Sequence, residues 1–191
     1  MSIENRLAII LQMIILVGAS ASGKTEIAKA LAERYGIVKA ITHTSRPMRV
    51  GERNDIDYHF VTDEEFLALK EKDAFVETTF YNNHYYGCSK AEIGDNKCVV
   101  VDPNGLKSFR ALGDDRIVAF YLRASRKTRE ERMKSRKDKP ELIVQRLEND
   151  EVSFDEATLP PMDYVIDTDQ KTISELVEMV YRLYTEKLNL L

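Results

Sequence analysis

Apolar and polar positions alternate along this chain in two rhythms, one suited to strands and the other to helices. The continuous apolar runs of strand length are residues 13–17, 98–101, 117–122 and 164–166. Between them lie segments whose apolar residues recur at helical spacing, and this alternation predicts an α/β fold with a mainly parallel sheet. We expect residues 13–42 and 93–191 to form its core, within a single domain that spans residues 1–191.

Several of the predicted helices carry capping signals. Thr62 and Glu65 fit a capping box for a helix that runs to about residue 72, and Thr172 and Glu175 fit a second one. Ser125 is suited to cap a helix that runs to about residue 136. The apolar face predicted for the last helix comprises Ile173, Leu176, Val177, Val180, Tyr181, Tyr184 and Leu188.

The segment from about residue 43 to about residue 92 differs in texture from the rest. Residues 58–61 alternate between polar and apolar positions like a strand. Residues 75–80 and 84–86 flank an Asn-Asn pair at residues 82–83, which is typical of a hairpin. We therefore expect a small mixed α/β insertion between the two parts of the core.

The first apolar run extends back to residue 7 and raises the question of a membrane or export segment. Its 11 residues are too few for a membrane span, which needs about 20. Residues 19–21 mimic a signal-peptide cleavage site, but cleavage there would destroy the glycine-rich loop that begins at Gly18. We expect no membrane association and a cytoplasmic location. Two placements of the start of the chain are left open. In the first, the strand begins at Met13 and residues 1–12 form an extension. In the second, residues 7–11 continue the strand or pack on the core.

A phosphate-binding loop follows the first strand. Its residues are Gly18, Ala19, Ser20, Ala21, Ser22, Gly23, Lys24 and Thr25, which match the pattern G-x-x-x-x-G-K-[ST]. Backbone N–H groups of such a loop surround a phosphate, and the helix predicted at residues 26–35 points its positive end at the same anion. Lys24 is suited to the β- and γ-phosphates of ATP and Thr25 to Mg²⁺, so both ligands are expected.

Composition and charge exclude several classes of protein. The 191 residues carry 28 Lys and Arg against 32 Asp and Glu, a net charge of −4, so a protein that coats nucleic acid through bulk charge is not expected. Cys88 and Cys98 are too few for a disulfide scaffold or a four-ligand zinc site. His43, His59 and His84 lack the spacing of metal ligands.

Positive charge is concentrated in residues 123–139, which carry nine basic and three acidic residues. Such runs are commonly solvated helix faces. The phosphate-binding loop at residues 18–25 is of the type called a P-loop. Near such a loop, the functional alternative is a helical lid, at about residues 132–150, whose arginines contact the phosphates of ATP. Phosphoryl transfer needs positive charge on the migrating group, which favours the lid.

Ordered motifs along the chain resemble those of the guanylate kinase family. They are R-P-M-R-x-G-E at residues 46–52, D-Y-H-F at 57–60, F-V-E at 75–77, Y-Y-G at 85–87, D-P-N-G at 102–105 and R-L at 146–147. With the P-loop, the resemblance spans residues 13–184. It implies a P-loop NTPase three-layer fold with a parallel core sheet, a mixed α/β insertion that binds a nucleoside monophosphate, and a helical lid.

The resemblance also assigns roles to individual residues of the insertion. Arg46, Arg49, Tyr58 and Tyr86 match the positions that hold the phosphate of the acceptor nucleotide, and arginine forms bidentate, charge-assisted bonds to phosphate. Glu77 matches the carboxylate that reads guanine. A carboxylate can accept two N–H bonds from the guanine edge, a pattern that adenine does not offer.

The arginines of the lid are expected to act on the migrating phosphoryl group. Arg132, Arg136 and Arg146 match the family's lid-side arginines, and their charge would neutralise that group when the lid closes. With Lys24 and Arg46, they form the expected catalytic set.

Two more polar residues complete the predicted site. Thr42 stands where the family has a small hydroxyl residue near the base or phosphate. Asp102 is expected to contact the substrate and, through water, to help Thr25 hold Mg²⁺.

The chain departs from the family pattern at a few positions. Cys88, included among the substrate-binding residues, replaces a hydroxyl residue that contacts guanine, and a thiol is a weaker hydrogen-bonding group. Val100 replaces the first Asp of D-x-D, and Asp167-Thr168 replaces an N-D pair on the adenine side. Ser22 replaces a glycine in the P-loop.

These observations predict an ATP-dependent nucleoside monophosphate kinase, with GMP as the acceptor and GDP and ADP as products. The departures leave open a P-loop kinase for a different small phosphorylated acceptor. A non-catalytic guanylate-kinase-like binding module is the alternative from another class, although such modules generally lose the phosphate-binding residues that Lys24 and Thr25 represent. Small nucleotides are the expected partners in the first reading.

Overall fold

A computed structural model describes residues 12–81 and 83–191 of the chain. In these residues the strands are β1 (Met13–Val17), β2 (Val38–Lys39), β3 (His43–Thr44), β4 (His59–Phe60), β5 (Phe75–Tyr81), β6 (His84–Ser89), β7 (Lys97–Val101), β8 (Ile117–Arg123) and β9 (Tyr164–Asp167). The α-helices are α1 (Lys24–Tyr35), α2 (Asp63–Glu71), α3 (Pro103–Arg110), α4 (Arg126–Ser135), α5 (Pro140–Ser153) and α6 (Ile173–Leu188).

A parallel sheet forms the centre of the described chain. Its strand order is β2-β7-β1-β8-β9, and β1 runs parallel to both of its neighbours. Helices cover both faces of such a sheet, so its central strands read as continuous apolar runs. All residues of β1 are buried, and the parallel α/β core predicted from the sequence is confirmed.

The two faces of β1 pack against different helices. Ile14 and Leu16 belong to a core cluster with residues of α1 and α6, whereas Met13, Ile15 and Val17 belong to a cluster with residues of α3. The split follows from the period of two along a strand. The carboxyl end of β1 therefore opens between the two layers, where the P-loop begins.

A second sheet lies outside this core, with the order β4-β3-β6-β5. Strands β5 and β6 form an antiparallel hairpin, and β3 joins β6 antiparallel and β4 parallel. Helix α2 covers the sheet with Phe66, whose ring stacks on Phe75 at 4.6 Å and on Tyr85 at 5.2 Å. Asn83 takes a left-handed φ of 62° in the hairpin turn, and the Asn82 half of the predicted turn lies outside the described residues.

The predicted caps are confirmed in their hydrogen bonds. Thr62 and Glu65 form a reciprocal capping box on α2, and Thr172 and Glu175 form one on α6. The Ser125 side chain accepts the Thr128 N–H at the start of α4. These bonds satisfy N–H groups that have no partner within the helix.

Strand β4 and helix α6 differ from the sequence prediction in length and in burial, respectively. Strand β4 covers only His59–Phe60, because the pairing with β3 is limited to two residues. On α6 the predicted apolar face is buried at Leu176, Val177 and Val180, but Ile173, the first residue of the helix, is 37% exposed.

The segment formed by α4 and α5 packs over the P-loop. Met133, Ile143 and Leu147 form a small buried cluster, and Ala21 of the P-loop packs against it. No helix within residues 12–81 and 83–191 combines the length and apolar character needed to cross a bilayer. Strand β1 begins at Met13, and the alternative placements of residues 7–11 concern residues outside the described part of the chain.

Candidate active site

A cavity of about 480 Å³ lies between the P-loop, the second sheet and α5. Carboxyl ends of adjacent parallel strands share one edge of a sheet, so Gly18 after β1 and Asp102 after β7 meet there. The predicted site residues that line the cavity are Gly18, Ser20, Ala21, Lys24, Thr42, Arg46, Arg49, Tyr58, Glu77, Tyr86, Asp102, Arg136 and Arg146.

The P-loop backbone depends on its glycines. A Cβ added at Gly18 would lie 2.6 Å from both the Ser22 Oγ and the Leu122 carbonyl oxygen, and Gly23 has a φ of 102° that side chains rarely adopt. Ser22 is fully buried beneath the loop, and Ala21 also takes a positive φ of 60°. The local sequence therefore folds the chain into a tight turn that leads directly into α1.

Lys24 lies folded under this loop. Its Nζ donates to the carbonyl oxygens of Gly18 at 2.6 Å and Ala19 at 2.7 Å. Burial lowers its pKa to about 8, while the nearby Asp150 carboxylate acts in the opposite direction. The two carbonyl oxygens hold the Lys24 amino group at the floor of the cavity.

Arg46 is held firmly at the opposite wall. Its guanidinium makes a two-pronged ion pair with Glu52, with Nη1–Oε2 and Nη2–Oε1 distances of 3.0 and 2.8 Å. The same Glu52 accepts the backbone N–H of Arg49 at 2.7 Å. This carboxylate fixes the loop that carries both arginines, which explains physically why the G-E pair follows them in the sequence.

Several guanidinium groups converge on the cavity. The pKa of Arg49 is lowered by burial and by repulsion from Arg46 and Arg146, which places like charges within electrostatic range of each other. Arg136 and Arg146 both pair with Asp138, at 3.2 and 2.9 Å. Like charges that are held together in this way favour an anion between them.

Two tyrosines lie beside the arginines. The ring centres of Tyr58 and Tyr86 are 6.3 Å apart, and the Arg46 guanidinium lies 5.4 Å from the Tyr58 ring centre. Lys39 Nζ lies 4.8 Å from that centre and donates to the Asp57 carbonyl oxygen at 2.7 Å. Burial raises the pKa of Tyr58, so its hydroxyl remains a donor for a bound anion.

Glu77 is a buried carboxyl group at the base of the cavity. Its Oε1 accepts the Cys88 backbone N–H at 2.8 Å, which orients the carboxylate. Burial, followed by the negative charge of Asp102, raises its pKa to about 7. A Cβ at Gly105 would lie 2.9 Å from Val101 Cβ and 3.1 Å from Glu77 Oε2, so glycine leaves room for this close approach.

Asp102 has a structural task that the sequence did not indicate. Its Oδ1 caps α3 by accepting the Gly105 N–H at 2.7 Å, and its Oδ2 accepts the Thr79 hydroxyl at 2.6 Å. The carboxylate thus already has a protein donor at each oxygen. These two bonds make Asp102 a support for the Glu77 pocket, and its expected contribution to Mg²⁺ binding through water stays a prediction.

The Thr25 hydroxyl fits a metal site better than Asp102 does. Thr25 is exposed in the first turn of α1, next to Lys24. Within the described residues no group of three or more His, Cys, Asp or Glu side chains is placed to hold a metal ion. A hydroxyl with few protein ligands suits Mg²⁺, which keeps waters and takes most other oxygens from nucleotide phosphates.

Cys88 does not contribute a side chain to the cavity, contrary to its predicted role in substrate binding. The side chain is fully buried among the residues of the core cluster that contains Val99 and Leu106. Burial raises the pKa of the thiol to about 12. Cys88 acts through its backbone N–H, which holds Glu77.

Arg132 lies outside the cavity, and its contact with the migrating phosphoryl group on lid closure stays a prediction. Its Nη1 donates to the Ala21 carbonyl oxygen at 3.1 Å, and its Nη2 donates to that of Thr168 at 2.7 Å. It therefore connects the P-loop to the segment after β9. Ala19 lines a neighbouring depression with Ser125 and Asp169.

Thr79, Tyr81 and Asp150 are among the cavity residues that were not predicted from the sequence. Thr79 and Tyr81 follow Glu77 at intervals of two on β5, so strand periodicity was the available signal. Asp150 follows Arg146 by four residues on α5, so helical spacing placed both on one face. On β5 and α5, the motifs assigned only Glu77 and Arg146 to the site.

Comparison with known proteins gives matches over most of the chain. The family model described as guanylate kinase matches residues 11–183. A guanylate kinase from Legionella pneumophila (strain Paris) is 34% identical over 91% of this chain and 88% of its own length. One from Thermus thermophilus is 31% identical over 83% of this chain and 74% of its own.

A solved structure shows the same fold. The crystal structure of guanylate kinase from Anaplasma phagocytophilum superposes with a TM-score of 0.69 and 24% identity, covering 93% of this chain and 87% of that one. Together with the match of the family model over most of the sequence, these findings show that the chain belongs to the guanylate kinase family.

Proposed function

We propose that this protein transfers the γ-phosphoryl group of ATP to GMP and forms ADP and GDP. The observation that carries the proposal is that Lys24 of the P-loop and the buried Glu77 line the same cavity as four arginines, which are Arg46, Arg49, Arg136 and Arg146. The relatives named guanylate kinase favour GMP over another phosphorylated acceptor and over a non-catalytic module.

The residues divide the task between donor and acceptor. We assign the ATP phosphates to the P-loop amides and Lys24, and the acceptor phosphate to Arg46 and Arg49 with the hydroxyls of Tyr58 and Tyr86. The attacking phosphate oxygen of GMP is already anionic, so positioning and charge stabilisation suffice without a general base. Thr42, buried at the cavity wall, is assigned to the acceptor as well.

The second sheet and the α4–α5 segment take the roles of acceptor-binding insertion and lid in this proposal. Residues 43–92 would present the GMP pocket and residues 132–150 would cover the ATP phosphates. Arg136 and Arg146, which already line the cavity, would exchange Asp138 for the migrating phosphoryl group. Closure would exclude the water that otherwise hydrolyses ATP.

Mg²⁺ is assigned to the Thr25 hydroxyl. When bound, the ion neutralises charge on the β- and γ-phosphates. The chain's own contribution is to place that hydroxyl beside Lys24 at the start of α1.

A coupled assay across GMP, dGMP, AMP, CMP and UMP tests the function. We expect turnover of GMP with ATP to exceed that of the non-guanine monophosphates by at least about 100-fold, since buried polar groups reject bases that leave them unpaired. Equal turnover of all acceptors would refute the assignment of GMP.

Affinity for GMP is expected to increase with pH. The pKa of Glu77 is raised to about 7, so its protonated form prevails below that pH and only the carboxylate accepts two guanine N–H bonds. Between pH 6 and pH 8 the ionised fraction increases roughly tenfold, and the Kd for GMP is expected to decrease by about that factor.

Calorimetry at several pH values measures this effect. The Glu77→Gln variant is the control, because it retains any contribution from ionisation of the GMP phosphate. A pH profile that is identical in the two proteins would exclude Glu77 as the titrating group.

A further inference from the structure

Asp150 places a buried carboxylate against the P-loop. Its Oδ2 accepts the backbone N–H of Ser20 at 2.9 Å. The residue is only 2% exposed, although it belongs to α5 and not to the loop. Backbone amides of such a loop are the groups that bind nucleotide phosphates, so a side chain of this protein occupies a donor suited to the ligand.

Two further bonds hold Asp150 in this position. Its Oδ2 accepts from Arg129 Nη1 at 2.8 Å, and its Oδ1 accepts from the Tyr81 hydroxyl at 3.1 Å. The contacts join α5 to α4, to β5 and to the P-loop. These bonds fix the position of the Asp150 carboxylate between the three elements.

The same arrangement is incomplete on the arginine side. Arg129 Nε is buried and has no hydrogen-bond partner among the described residues. An unsatisfied buried donor costs free energy. The pairing with Asp150 therefore leaves one N–H group of the Arg129 guanidinium without an acceptor in the described part of the chain. A ligand with more acceptor oxygens would satisfy it better.

A carboxylate and a phosphate compete for the same donors of the loop. Both are anions that accept N–H hydrogen bonds, and one N–H group forms a strong hydrogen bond to only one acceptor at a time. Asp150 also lies close enough to Lys24 to affect the pKa of that lysine. A triphosphate that binds the P-loop would therefore meet a negative charge already placed on one of its amides.

We propose that Asp150 is an internal competitor of the triphosphate, seated on the Ser20 amide in the ligand-free protein and displaced when ATP binds. The inference rests on the proposed function, in which ATP is the ligand of the P-loop. Because Asp150 lies one turn after Arg146 on α5, its release frees the helix that carries this arginine. Binding of ATP is thereby coupled to movement of α5.

The Asp150→Asn variant tests the competition. Asparagine keeps the volume and one acceptor oxygen but removes the charge, and neutral hydrogen bonds are about half as strong as charge-assisted ones. If the hydrogen bond between Asp150 and the Ser20 N–H is formed in about 90% of the molecules, its loss strengthens ATP binding about tenfold. The Kd of ATP is measured by calorimetry without GMP.

A matched control separates the contact from general charge. Glu151 is the next residue on α5, has a side chain 56% exposed and pairs with Arg126. Glu151→Gln removes the same charge without touching the P-loop, and its Kd for ATP is expected to stay within about twofold of the wild type, as for surface charges. The Kd for GMP reports on the fold of each variant.

The outcomes decide between the alternatives. Tighter ATP binding by Asp150→Asn alone supports the proposal. Unchanged or weaker ATP binding, in a variant that still binds GMP, overturns it. The wild-type assay of transfer from ATP to GMP is scored separately, so tighter ATP binding without transfer would reject the kinase function and leave the competition standing.

In case the Asp150→Asn variant fails to fold because Arg129 loses its anionic partner, hydrogen exchange in the wild-type protein tests the proposal without that variant. Addition of ATP is expected to speed amide exchange in residues 147–153 of α5, while the P-loop becomes protected. Slower exchange in residues 147–153 on addition of ATP would overturn the proposal.

Discussion

Replacing Lys24 with alanine is expected to lower kcat for phosphoryl transfer by roughly 10²–10³-fold, the usual loss when one preorganised charge is removed from a transition state. Its Nζ lies at the cavity floor on the carbonyl oxygens of Gly18 and Ala19. The lost charge acts on the migrating phosphoryl group more than on bound GMP. We therefore expect the Kd for GMP to remain close to that of the wild type.

The matched control is Lys29→Ala on the same helix. The Lys29 side chain is 55% exposed and pairs with Glu26 at 3.6 Å. Steady-state kinetics of both variants, with GMP affinity measured by calorimetry, check the prediction. A Lys24→Ala enzyme with wild-type kcat would remove the lysine from the mechanism and favour a binding module.

The second large effect is expected for Glu77→Gln, which should lower the preference for GMP over AMP by roughly 10²-fold or more. Hydrogen bonds to a charged group contribute about 1.5–3 kcal/mol each, and glutamine replaces one of the two acceptor oxygens with a donor. That donor would face the N–H groups of the guanine edge. The ratio of kcat/KM values for GMP and AMP measures the effect.

Stability separates this prediction from unfolding of the variant. Burial raises the pKa of Glu77 from 4.5 to about 7, so this residue lowers stability as the pH rises from about 4.5 to about 7. The full cost is present at pH 8, and neutral glutamine removes it. The melting temperature of Glu77→Gln at pH 8 should therefore not fall below that of the wild type. Glu64→Gln, at an exposed position on α2, is the matched control. Retained selectivity in a folded Glu77→Gln protein would disprove the reading of guanine by this residue.

Much of the fold was accessible from the sequence because its signals are local. The apolar period along β1 and the capping boxes at Thr62 and Thr172 depend only on residues a few positions apart. The P-loop is equally local, since a contiguous stretch of backbone forms the anion site. The boundaries of short elements such as β4 depend on pairing with a distant strand, which the pattern did not contain.

Cys88 shows that a position matched through the resemblance need not present its side chain to the site. Tyr86 and Cys88 are two residues apart on β6 and were both assigned to the site, yet only Tyr86 lines the cavity. The pairing of β5 with β6 changes register between Phe75 and Glu77. Such an irregularity bends and twists a strand, and Cys88 lies where the hairpin meets the core.

Taken alone, the sequence determined the α/β core, the P-loop and, through the resemblance, the identity of Glu77 and the arginines of the cavity. Only the tertiary structure placed Arg132 on the carbonyl oxygens of Ala21 and Thr168, and Asp150 on the Ser20 amide. Ser20 and Asp150 are 130 positions apart in the chain. A contact over that distance arises from the packing of α5 against the P-loop, and no periodicity of neighbouring residues encodes it.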